Sequence, residues 1–339
     1  MTQKRKEKKN QHYVPQCYLE AWAITDTHRV YVYDKKIKKS YCSNIEDVAM
    51  ERYFYDIDFT GIVSESDLKK YGFEGYDPSR IDDAQYIENF FANQVEKHYK
   101  VMLNNIINRI KKMNSWEINN CRFITAEDKI VFSYYLAWQN IRVKSVRTSM
   151  KQSSNCLVQV LQEMGASDKT IKKYSISKEH LPYLHGGMIL DFDMISEMAK
   201  SFSTLSWILL VNQADQFLFT SDNPIGTIGH VKHPFLSTAG LNSKGVEAFF
   251  PISYNLILLM FDGNYHTQFK NYDCRTIGLD DEELIKEYNR RCVLNSERCV
   301  FSKNDDFSII ENICNTAPNL LNLPRSVMHW GGKTFVPTD

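Results

Sequence analysis

A chain of 339 residues with 43% hydrophobic and 24% charged side chains has the composition of a globular protein and enough apolar material for a sizeable core. Lysine plus arginine equals aspartate plus glutamate at 41 each, so nothing global draws the chain to nucleic acid or an anionic membrane, and any anion binding must be local. The longest apolar runs, 205–211 and 256–261, fall far short of the roughly 20 residues of a membrane-spanning helix; the basic N-terminus leads into Asn10-Gln11-His12-Tyr13 rather than an apolar segment, and the eight cysteines form no close CxxC pair, so a cytoplasmic protein with reduced, packing cysteines and no membrane partner is expected.

In chain order, residues 1–10 read as a basic, solvated tail. Pro15 suits the first position of a helix carrying Tyr18, Leu19 and Trp22 on one face, with His12 just outside its N-terminus. There His12 reads either as a neutral base or phosphate contact, or as a hydrogen-bonded anchor of the turn. Arg29 to Asp34 and Ile37 to Cys42 alternate as a β-hairpin around Lys35-Lys36, and a short capped helix to Met50 leads into an expected strand from Arg52 to Ile57. Residues 61–79 read as an exposed loop.

Apolar side chains from Ile87 to Ile110 recur at helical spacing, which predicts one long helix over 82–113, with Glu96 at the edge of its apolar stripe. Thr125-Ala126-Glu127-Asp128 is a helix cap, and the next helix is expected to bury Val131, Tyr135, Trp138 and Ile141 or Arg142. Arg142 sits about 20° from Val131 around that helix, so its guanidinium needs a partner: Glu96, Asp222 or a bound anion. Helices are expected over 153–165 and 179–200, with a basic loop at 169–178 between them; His180 and His185 are too far out of phase for a shared metal.

The run Ser206 to Val211 and the following Phe219-Thr220-Ser221-Asp222-Asn223-Pro224-Ile225 read as a hairpin around Asn212 to Asp215, with Asp222 at the end of the second strand, where Pro224 stops the ladder. Pro251 is expected to bend its strand and aim Ser253. A helix over 281–295 should turn Leu284, Ile285, Tyr288 and Cys292 inward with Asn289 beside them, before a last strand at 298–302. The expected fold is therefore α+β: an N-terminal β-hairpin, a central helical block at 82–200 and a mainly antiparallel, helix-backed sheet at 205–302, within one domain at 11–302, followed by an extension at 303–339.

Several short signatures in this order resemble the prokaryotic DUF4238 family: His12-Tyr13-Val14-Pro15-Gln16-Cys17-Tyr18-Leu19, Gln139-Asn140-Ile141-Arg142, Thr220-Ser221-Asp222-Asn223-Pro224, Phe250-Pro251-Ile252-Ser253 and the Asn289 helix. The resemblance covers residues 11 to 302 and implies a bacterial intracellular protein associated with defence or mobile elements, with no mechanism attached. Val143-Lys144 stands where the family pattern implies Thr-Pro.

The chain carries no P-loop, strand-linked GxGxxG, HExxH or nucleophile elbow. One expected function is a phosphodiester-cleaving enzyme in which Asp222 and Glu96 ligate a divalent metal such as Mg, His12 is the base, Arg142 stabilises phosphate charge, and Ser221, Asn223, Asn289 and Ser253 bind substrate. Its partner would be nucleic acid or a phosphorylated small molecule. The alternatives are a hydrolase or transferase of a small phosphorylated ligand, and a non-catalytic binding or sensor protein in which these side chains form a buried structural network.

Overall fold

A computed structural model describes residues 8–57, 85–233 and 238–338. Most of the basic tail, the loop at 61–79 and the start of the helix expected from 82 lie outside the described residues. The chain is α+β. Its helices are α1 (Gln16–Leu19), α2 (Tyr86–Phe90), α3 (Glu96–Lys111), α4 (Ser115–Ile118), α5 (Ala126–Arg142), α6 (Lys144–Glu163), α7 (Asp168–Tyr174), α8 (Leu181–Leu190), α9 (Phe192–Thr204), α10 (Glu282–Asn295) and α11 (Ser308–Thr316).

Strands β1 (Asn10–His12), β2 (Arg29–Asp34), β3 (Lys39–Asn44), β4 (Met50–Arg52), β5 (Ser206–Asn212), β6 (Thr220–Ser221), β7 (Gly226–Gly229), β8 (Val246–Ser253), β9 (Leu256–Phe261), β10 (Arg275–Leu279), β11 (Cys299–Ser302), β12 (Met328–Trp330) and β13 (Lys333–Phe335) build two principal sheets and two separate two-stranded ribbons, β1-β4 and β12-β13. One principal sheet has the order β10-β5-β9-β8-β7, antiparallel except for the parallel β10–β5 edge; the other is β3-β2-β11-β6, antiparallel throughout. The N-terminal hairpin is thus completed by two strands from the C-terminal half of the chain.

The hairpin expected between 206–211 and 219–225 does not form. Both edges of β5 are occupied, by β9 and β10, so the returning chain crosses to the other sheet and β6 pairs with β11. Every residue of β5 and β9 is buried, and alternate side chains serve opposite faces: Trp207 and Leu209 enter the main core with the helical block, Ile208 and Leu210 pack against Ile285 and Tyr288 of α10. A strand buried on both faces reads as a continuous apolar run, so its sequence does not reveal which neighbour it takes.

Local signals hold in several places. Thr125 Oγ1 accepts the Asp128 N–H at 3.0 Å as the cap of α5, and α10 turns Ile285, Tyr288, Asn289 and Cys292 inward. The buried face of α5, however, carries Phe132, Tyr135, Leu136, Gln139 and Arg142, while Val131 is exposed; the helix is rotated by about one residue because Phe132 offers more apolar area to Trp207 and Phe250. α6 begins at Lys144, earlier than expected, because only Val143, in extended conformation, separates it from α5; the chain breaks there without the Thr-Pro pair. Part of the basic stretch at 169–178 is helical as α7, and the segment expected as a strand from Arg52 keeps only Arg52 in β4 before turning. Pro251 lies on β8 beyond the end of β7, at a register irregularity between Pro251 and Ser253, so its missing N–H breaks no ladder bond.

α1 fastens the N-terminus to the C-terminal sheet. Its first residue is Gln16, with Pro15 as the cap residue, one position later than expected. The buried Tyr18 hydroxyl bonds Thr220 Oγ1 at 2.6 Å and the Pro251 carbonyl at 2.7 Å, and Trp22 Nε1 donates to the Leu218 carbonyl at 2.9 Å.

Candidate ligand-binding chamber

The residues singled out by sequence fall into separate places. His12, Glu96 and Arg142 meet where β1, α3 and α5 converge. Arg142 is 2% exposed and donates from Nη2 to Glu96 Oε1 at 2.9 Å and to the His12 carbonyl at 2.6 Å, and from Nε to the Tyr55 hydroxyl at 3.3 Å. Its guanidinium lies 3.9 Å from the centroid of the Phe91 ring. Phe91 opens a π-helical turn, Phe91–Val95, that joins α2 to α3. In a regular helix, residues 91 and 96 would point about 140° apart; the wider turn, with its i to i+5 bonding, lets both reach one guanidinium. The partner of Arg142 is therefore Glu96.

His12 contributes its backbone carbonyl to this cluster, while its ring Nε2 lies 3.0 Å from the Glu46 carbonyl and so donates to it. Burial outweighs that bond and holds the imidazole below its usual range. One helix further, Arg147 spreads over Phe54 at 3.9 Å and donates from Nε to His185 Nδ1 at 2.9 Å, and His185 Nε2 donates to the Ile141 carbonyl at 2.8 Å. His185 thus has a fixed neutral tautomer in the core.

Asp222 lies elsewhere, 1% exposed at the end of β6. Its Oδ1 accepts the N–H of Glu297 at 2.8 Å, and Oδ2 accepts those of Arg298 at 2.7 Å and Cys299 at 2.8 Å. Burial pushes this carboxyl up, against the three donors and the Lys35 ammonium, which stabilise its charge. Lys35 in turn donates to the Ser296 carbonyl at 2.7 Å at the end of α10. Pairing of Asp222 with Arg142 or His12, one of the expected arrangements, is replaced by this backbone cradle. Asn289, fully buried, accepts from the Phe219 N–H and donates to the Phe217 carbonyl, both at 2.7 Å. Ser221 bonds the main chain of Asn223, and Ser253 bonds Asn255 across the β8–β9 turn. Among the described residues no cluster of three or more His, Cys, Asp or Glu side chains has the geometry to hold a metal ion, and Asp222 and Glu96, the expected ligands, are committed to different partners.

Of the eight expected site residues, Asn223 alone borders a wide cleft of 1610 Å³, open to solvent on one side and flanked by α6, α8, α9, the segment after α7, the residues following β7 and the C-terminal extension, called the chamber below. Typical small-molecule pockets hold ~300–1,000 Å³. Met150, Met188, Met194, Met198 and Met328 line it, five of the chain's 11 methionines, and their polarisable, flexible thioethers suit an apolar ligand of irregular shape. Along α6, Ser145, Ser149 and Ser153 recur every four residues and set a row of hydroxyls on one side. That row is a sequence signal, obscured when the helix is begun at 153.

The Asp222 corner shapes one wall of this chamber. Glu297, held at its N–H by Asp222, uses its carboxylate to accept from Thr148 Oγ1 at 2.7 Å and from Arg325 Nε at 2.5 Å. Arg325 also donates to the Asn295 carbonyl, and Asn295 and Asn223 exchange side-chain-to-carbonyl bonds at 2.8 and 2.9 Å. Asn223, Asn295 and Arg325 all line the cavity.

Among the described residues no helix is long and apolar enough to cross a membrane. No curated protein and no solved structure matches the chain. A model of the family described as protein of unknown function DUF4238 matches residues 10–306, which include both principal sheets and the helical block, and the chain belongs to that family.

Proposed function

We propose that the protein is a non-catalytic binding protein that takes a small, largely apolar ligand into the methionine-lined chamber. The observation that carries this reading is the cleft itself: 1610 Å³ of space whose lining includes five methionines and a serine row, and bounded on one side by a polar chain whose own hydrogen bonds are made within the protein. Such preorganisation lowers the cost of ordering the site when a ligand enters. The phosphodiester-cleaving reading needs His12, Glu96, Arg142 and Asp222 to act together on a substrate. Arg142 is instead paired and stacked in the core, and Asp222 is occupied by three main-chain N–H groups, so the binding reading has the stronger support.

Native mass spectrometry of the purified protein, with a thermal-shift screen of apolar compounds, tests it. Ser149→Trp, which places an indole in the chamber, is expected to abolish any adduct and any ligand-induced rise in Tm while preserving the fold. A ligand-free mass with no stabilising compound, or stabilisation unaffected by Ser149→Trp, would sink the reading.

A further inference from the structure

The charges around the chamber are not balanced as those of the whole chain are. Lys172, Lys173 and Arg325 line it, against the carboxylate of Glu197. Arg325 is spent on Glu297 and Asn295, which leaves the two lysines as the cations for a ligand. Both are exposed, at the C-terminal end of α7, and Lys173 Nζ lies 5.6 Å from the Tyr174 ring. The segment that follows is pinned to α6: Ser154 Oγ donates to the Tyr174 carbonyl at 3.0 Å and accepts the Ile176 N–H at 2.9 Å. The lysines are therefore tethered beside a largely apolar cleft rather than on a free tail.

Resting on the binding reading above, we infer that the ligand is an amphipathic anion, with its apolar body among the methionines and a terminal carboxylate or phosphate at Lys172 and Lys173. A cation at the rim of an apolar cavity leaves the charged head of such a ligand partly hydrated, so head-group desolvation costs little while the body is buried. A neutral apolar ligand gains the burial alone. A cationic amphiphile would meet the lysines with like charge.

Calorimetric titration of the full chain with dodecanoate, dodecyl phosphate and dodecanol separates the outcomes. The expected result is that at least one anion binds about tenfold more tightly than the alcohol, and that Lys172→Glu combined with Lys173→Glu removes this advantage while leaving dodecanol affinity within about twofold. The stronger of the two anions identifies the head group. Equal binding of the alcohol, or anion affinity unchanged by charge reversal, overturns the anion assignment and leaves the chamber reading standing. No saturable binding of any of the three, or binding insensitive to Ser149→Trp, overturns both.

Discussion

The Asp222 carboxylate accepts the main-chain N–H of Glu297 at 2.8 Å, and the Glu297 carboxylate in turn receives Thr148 and Arg325. One buried acid thereby orients a second, which joins α6 to the C-terminal extension at the chamber wall. The Thr-Ser-Asp-Asn-Pro corner is thus a bracket between two sheets, α10 and the cavity. Its polar side chains are inward because the main chain of residues 297–299 would otherwise have unpaired donors.

Asp222→Ala is expected to destabilise the fold by several kcal/mol, since each buried N–H left unpaired costs ~1–3 kcal/mol. Asp222→Asn, which loses the charge and turns an amide donor toward one of those N–H groups, should fall between wild type and Ala. Denaturant midpoints of the three proteins check the order. A loss below about 1 kcal/mol for Asp222→Ala would contradict the bracket role.

Glu96→Gln leaves the Arg142 guanidinium, 2% exposed, without its carboxylate. Breaking a buried pair costs ~3–5 kcal/mol, and the lower end applies because the Glu96 side chain is 27% exposed. Arg142→Met with Glu96→Gln should lose less than the sum of the single changes, with a coupling of at least about 1 kcal/mol. Additivity within ~0.5 kcal/mol would mean that Phe91 and Tyr55, not Glu96, hold the arginine.

Burial and the adjacent Arg147 charge push the His185 imidazole down to about 3. In the unfolded chain the same group binds a proton below about 6.5. The unfolded state therefore takes up the proton first on acidification. The contribution of His185 is fully present above about pH 6.5 and is lost as pH falls toward 3, at up to ~1.4 kcal/mol per pH unit. His185→Gln should be less stable at pH 7 yet show a shallower decline between pH 6 and 4 in urea titrations; parallel curves for the two proteins would refute a neutral buried imidazole.

Much of the architecture is legible in the sequence because it follows from local rules. The Thr125 cap, the pairing of β2 with β3 as a hairpin and the inward stripe of α10 each depend on residues close to one another in the chain, and each is present in the structure. The same holds for Arg142, whose position on the packed stripe of its helix required a partner, and for Pro251, whose missing N–H required a place where no ladder bond was due.

Tertiary structure alone decided the rest. β5 is apolar on both faces, and its pattern suits a hairpin with the next strand as well as it suits the β9 and β10 neighbours it takes. Arg142 had three partners open to it; the π-helical turn at 91–95, which brings Phe91 and Glu96 to one guanidinium, selected Glu96. The chamber is made by side chains more than 100 residues apart, Met150 on α6 and Met328 on the extension among them. No short stretch encodes that cleft, because a cleft is defined by where packing stops, and that depends on how α6, α8 and α9 are held apart by elements distant in the chain.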